Sequence, residues 1–204
     1  VHVSETLKEH NECKERHGGL TPVQVLDKYH VFDTRATAAH CVFVEKEDMD
    51  ILRARDAVIA HNPISNLKLG SGIAPLSEMI KNGVRVGLGT DGVCSNNSHD
   101  MFEEIKTAVL LQKGITHDPA IISSRKGVEL ATINGAYAQG RENESGMIKV
   151  GFDADIIMHI NSVFTTLTQL GVGPSEGFYI ENDISEWTDF LPDLPKLSAV
   201  KSYM

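Results

Sequence analysis

Five residues carry chemistry that could be shared: His2 and Glu5 in VHVSET, His40 in AAHCV, His61 in HNPISN and Asp91 in GTDG. Histidines with an aspartate suit a divalent metal such as zinc, because imidazole nitrogen and carboxylate oxygen are its usual non-thiolate ligands. Glu5 follows His2 by three residues, so it can stand near a metal without ligating it, where a proton shuttle is needed. A carboxylate on the metal and another beside it could take a proton from water and hand it to a leaving group or a ring nitrogen. That is hydrolytic chemistry. A thiolate zinc site is not expected: the three cysteines, Cys13, Cys41 and Cys94, are scattered and form no CxxC pair.

The elements around these residues explain how they could meet. ETLKEHNECKERH (5–17) is rich in helix formers and stops at Gly18-Gly19. Thr21-Pro22 reads as an N-cap followed by proline at the first helical position, opening a short helix over 21–30. RATAAHCVFV (35–44) suits a buried strand, and 46–55 returns to helical periodicity. DAVIAHNP is a short apolar run ending in Pro63 and a polar loop, SNLKLGSG. Residues 73–83 read as a helix closed by Gly83, 84–90 as a strand, 99–114 as an amphipathic helix closed by Gly114, and 119–140 as two more helices. Alternation of strand and helix predicts a parallel α/β sheet with crossover helices. Val1-His2 looks like a fourth strand end. Each strand then delivers a His or Asp near its carboxyl end, the face on which active sites assemble in parallel barrels and open α/β sheets alike. Residues 145–160 look like two short strands joined by a Gly-Phe-Asp turn, and 161–204 have no assignable pattern.

Taken singly, each candidate has a plainer reading. A histidine at a strand end is commonly a satisfied polar residue, and GTDG also fits a tight turn. Cys94 and Ser95 have no partner spacing for a nucleophile, His99 belongs to a helix cap, and the EKED and ECKER runs read as solvated helix faces. The ordered set favours catalysis. Over 204 residues the formal net charge is −9, which argues against nucleic-acid or anionic-membrane partners. The apolar runs are too short to span a bilayer, no signal peptide is expected, and the odd, scattered cysteines suggest free thiols in a reducing, cytoplasmic setting.

HVSET, AAHCV, HNPISNLKLGSGIAP and GLGTDGVCSNNSHDMFEE, in this order, resemble the amidohydrolase superfamily over about residues 1–160, and within it the 5'-methylthioadenosine/S-adenosylhomocysteine deaminases. TINGAYAQG and the GMIKVGFDADIIM run resemble the stretch that leaves the barrel for a small β-sandwich. The resemblance implies the second half, strands five to eight, of a TIM-type (β/α)8 metallo-hydrolase barrel over 1–140, with 141–204 returning to a small β-sandwich. It implies that His2 and Asp91 are metal ligands and that Glu5 contacts the purine and protonates it. His40 would orient the attacking water, Asp91 would also accept its proton, and His61 with SNLK would shape the pocket. The cofactor would be zinc, with iron as the alternative. The reaction would be hydrolytic loss of ammonia from C6 of a purine nucleoside.

The sequence departs from the family in lacking the HxH pair of the first strand, and Phe43 stands where the family usually carries another histidine. The expectation is a piece of a longer enzyme that by itself binds little zinc and deaminates nothing. Other members of the superfamily (guanine or cytosine deaminases, triazine chlorohydrolases) share the metal, Glu and Asp and remain open. So do a non-catalytic scaffold that kept the fold and a homo-oligomer.

Overall fold

The computed structural model describes residues 1–157. Four short strands, β1 (His2–Val3), β2 (Thr37–His40), β3 (Val58–His61) and β4 (Arg85–Leu88), lie side by side in chain order, and all pairs are parallel. The register sets Val3 opposite His40 and His61 opposite Leu88, so the carboxyl ends are level. Parallel neighbours need crossovers, and helices supply them. α1 (Leu7–Arg16) and α2 (Pro22–Lys28) join β1 to β2, and α3 (Lys46–Ala54) joins β2 to β3. α4 (Pro63–Lys68) and α5 (Leu76–Lys81) join β3 to β4. α6 (Val93–Asn96), α7 (Met101–Thr116), α8 (Ser124–Ala131) and α9 (Ile133–Ala138) follow. The core packs Val3, Ala38, Ile59 and Val86 of the sheet against Phe32, Leu52, Met79 and Leu130. Among the described residues no helix is long and apolar enough to cross a membrane.

Local chemistry accounts for the helix starts. Thr21 Oγ1 accepts from the Gln24 backbone N–H at 3.2 Å while the Gln24 side chain accepts from the Thr21 N–H at 3.0 Å, a reciprocal cap with Pro22 inside it. Asp100 caps α7 by accepting from the N–H groups of Phe102 and Glu103.

Several expectations change. Pro63 does not close a strand into a loop but opens α4 as its first residue. α7 runs through Gly114 to Thr116 and ends where His117 takes a left-handed conformation (φ 55°). A single helical glycine costs only about 1 kcal/mol, which the packing of α7 absorbs. The EKED run is not wholly solvated: Asp48 is fully buried, accepting from Thr21 Oγ1 at 2.5 Å and from the Glu45 N–H at 2.9 Å. Burial pushes its carboxyl up. The strand pair expected over 145–160 is not formed among 145–157, which run as turns and irregular chain. The remainder of that pair, and 161–204, lie outside the described residues.

Gly146 holds this last segment against the α8–α9 junction. Its φ is +93°, and an added Cβ would stand 2.7 Å from Ala136 Cβ and 3.0 Å from Thr132 O. Gly146→Ala is therefore expected to lower stability by about 1–3 kcal/mol. A urea midpoint lowered at unchanged slope is the readout.

Candidate active site at the carboxyl ends of the strands

The backbone turns sharply where the chemistry sits. Ser4, His40, Cys41 and Asp91 all have positive φ (49°, 72°, 49° and 59°). Non-glycine residues in that region cost energy and gather at functional sites. The turn at His40-Cys41 ends β2, which is why the strand stops short of the apolar CVFV run.

His40 is the centre of the group. It is 1% exposed, and its ring stacks on His2 with centroids 5.3 Å apart and planes 21° from parallel. His40 Nε2 lies 3.7 Å from Glu5 Oε2, beyond direct hydrogen-bond range. His40 Nδ1 lies 2.8 Å from Asn66 Oδ1. Glu5 also accepts from Ser71 Oγ at 3.3 Å. Its backbone is fixed from α1: the Glu9 carboxylate accepts from the N–H groups of Ser4 (3.1 Å) and Glu5 (2.8 Å). His2, by contrast, is exposed at the strand end.

Asp91 accepts from Ser65 Oγ at 2.6 Å and from the Gly92 N–H at 2.6 Å. Burial pushes its carboxyl up, but those two bonds and the nearby imidazoles of His40 and His2 outweigh it and hold the group below its usual range. Asp91 is thus kept ionised. His61 differs from the other four. It is 1% exposed, its Nδ1 has no hydrogen-bond partner among the described residues, and burial together with the neighbouring His40 lowers its pKa to about 4. It is a neutral group packed beside His40.

The structure therefore brings His2, Glu5, His40 and Asp91 to one end of the sheet, with His61 buried among them. The sequence reading missed their supports. Ser65 and Asn66 sit in the first turn of α4 and reach Asp91 and His40 respectively. Reading Pro63 as a helix start would have placed them over the strand ends. Buried Glu104 accepts from the Ile64 N–H at 3.3 Å and from Asn96 Nδ2, tying α4 to the end of α6, the short helix after Asp91. Lys68 Nζ completes that tie by donating to Cys94 O and Asn97 Oδ1.

As donors for a divalent ion, the exposed imidazole of His2 and the ionised Asp91 fit in kind. Among the described residues, no group of three His, Cys, Asp or Glu side chains is placed to hold a metal.

Residues 1–172 match the amidohydrolase family model, and residues 148–204 match that of a phage connector protein. A 5-methylthioadenosine/S-adenosylhomocysteine deaminase of Dictyoglomus thermophilum is 47% identical, over 78% of this chain and 37% of that protein. A 5'-deoxyadenosine deaminase of Methanosarcina acetivorans is 50% identical, over 78% and 36%. The chain thus spans little more than a third of these relatives' length. The crystal structure of an adenosine deaminase from Xanthomonas campestris with bound zinc superposes with a TM-score of 0.72 at 33% identity, covering 76% of this chain and 35% of that one.

Proposed function

The chain belongs to the amidohydrolase family, and on that premise we propose that it is part of a metal-dependent hydrolase that deaminates adenine nucleosides such as S-adenosylhomocysteine and 5'-methylthioadenosine. The observation that carries the reading is the meeting of His2, Glu5, His40 and Asp91 at the carboxyl ends of parallel strands. The names of the relatives support the substrate class. In this reading residues 1–140 are strands five to eight of a (β/α)8 barrel with their helices, and 141–204 lead back to a small β-sandwich.

His2 and Asp91 are the residues that would hold the divalent ion, zinc or alternatively iron, with further ligands from outside the described residues. Such an ion lowers the pKa of water, so that a nucleophile is present near neutral pH. Asp91, held ionised by Ser65 and Gly92, accepts the proton of the attacking water. His40 orients that water from its buried seat. Glu5 gives a proton to the purine ring, which makes C6 electrophilic; Asp91 passes the water proton to the departing amino group, which leaves as ammonia, and the new hydroxyl at C6 returns a proton to Glu5 to give a hypoxanthine. His61 shapes the wall by packing, since its buried ring presents no exposed face.

The test is ammonia release by the full coding product containing this segment, offered S-adenosylhomocysteine, 5'-methylthioadenosine and guanine. Release from the adenine nucleosides is expected. Release from guanine alone overturns the substrate assignment, and no turnover by a folded, zinc-loaded protein favours a scaffold. The 204-residue chain alone is expected to retain well under one zinc per chain after gel filtration. Stoichiometric zinc would show that the described donors and their neighbours suffice without further ligands.

A further inference from the structure

The helix after β3 contributes more than packing. Asn66 is 1% exposed, and its place is set on both sides: its N–H donates to Asn62 O at 3.0 Å, and its carbonyl accepts from the Ser71 N–H at 2.8 Å. Its Oδ1 faces His40 Nδ1 at 2.8 Å, and its Nδ2 has no partner among the described residues. Resting on the deaminase reading, we propose that Asn66 is a positioning residue that keeps the proton of His40 on Nδ1, so that Nε2 is the one ring nitrogen able to exchange a proton with the site.

The reason is the asymmetry of the two ring nitrogens. An amide oxygen can only accept, so a contact through Oδ1 requires a proton on Nδ1. Nε2 is then directed toward Glu5. The ring cannot swing to exchange its nitrogens, because it is buried and stacked on His2. Turning the Asn66 amide over would reverse the assignment: Nδ2 would donate to a bare Nδ1, and the neutral ring would carry its proton on Nε2. The two arrangements make opposite forecasts.

The first readout needs no turnover. Long-range nitrogen–proton correlation on histidine-labelled 204-residue chain at pH 8, with the His40 signal assigned by its loss in His40→Gln, is expected to show a protonated Nδ1 and a bare Nε2. The reverse pattern overturns the proposal. Asn66→Asp keeps an acceptor and is expected to keep the Nδ1–H signature. Asn66→Leu removes the acceptor and is expected to leave a mixture of tautomers. In the full coding product, Asn66→Leu is expected to lower kcat about 10–100-fold with KM changed less than threefold, as losses of such outer supports do, and Asn66→Asp to recover most of it. If Asn66→Leu does not fold, the wild-type spectrum and Asn66→Asp still decide the matter. Absence of deaminase activity alongside a protonated Nδ1 would sink the functional reading and leave the tautomer assignment standing.

Discussion

Glu5→Gln is expected to lower kcat of the proposed deamination by about 10²–10⁴-fold, the usual worth of a positioned general acid or base. The exchange removes the titrating proton and little else. The Glu5 backbone is held by the Glu9 carboxylate, which the substitution leaves alone. The carboxyl oxygen that receives Ser71 Oγ is matched by an amide oxygen of the same reach. Glu5 is only half-buried, so the urea midpoint should stay within about 0.5 kcal/mol of wild type. Steady-state ammonia release and a urea titration on the same preparation check both halves. A drop of less than tenfold with an unchanged midpoint would remove Glu5 from the proton path. Glu9→Gln makes a useful contrast. It weakens the clamp on the Ser4 and Glu5 N–H groups and should disturb stability and activity together.

Acid is expected to destabilise the chain through His61. Its folded pKa is lowered to about 4 by burial and by the neighbouring His40. In the unfolded chain the same imidazole titrates near 6.5. Between those values the unfolded state takes up a proton that the folded state refuses. The contribution of neutral His61 is therefore complete above about pH 6.5 and is lost as pH falls toward 4, a change of about 3 kcal/mol. That is a large part of an ordinary domain's stability. Asp48 and Glu104 act with the opposite sign, because burial raises their carboxyl pKa values and protonation then favours the folded state. The difference between wild type and His61→Gln separates the effects. Urea unfolding at pH 7 and pH 4 should show wild type losing about 3 kcal/mol more than the variant. Equal losses in the two proteins would mean that His61 is hydrated in the folded state.

Much of the frame was legible from local signals. Thr21-Pro22 announced its helix because a capping hydroxyl and a proline at the first position are both local devices. Three of the four strand positions followed from short apolar runs, the fourth from the likeness of Val1-His2 to the other strand ends, and their parallel pairing from the helices between them. The strand lengths were not legible. CVFV is as apolar as a strand, but the chain leaves the sheet at His40-Cys41 through two positive φ angles. The run 145–157 reads as part of a strand pair, yet it folds as turns and irregular chain. Asp48 in the EKED run could not be told from its charged neighbours, because its burial depends on Thr21, 27 residues away.

For the site, the sequence by itself determined which groups are available and that they fall at strand ends: His2, Glu5, His40, His61 and Asp91. Residue type and apolar periodicity are local properties, and both can be read along one dimension. Only the tertiary structure decided which groups touch. His40 lies on Asn66, 26 residues away, and Asp91 on Ser65, also 26 away, while Glu5 meets Ser71 across 66 residues. Those contacts exist because parallel strands must be joined by crossovers, which bring distant strand ends level and lay α4 across them. The same closure buries His61 and makes it neutral while leaving His2 exposed and holding Asp91 ionised, so three similar strand ends acquire three different electrostatic states.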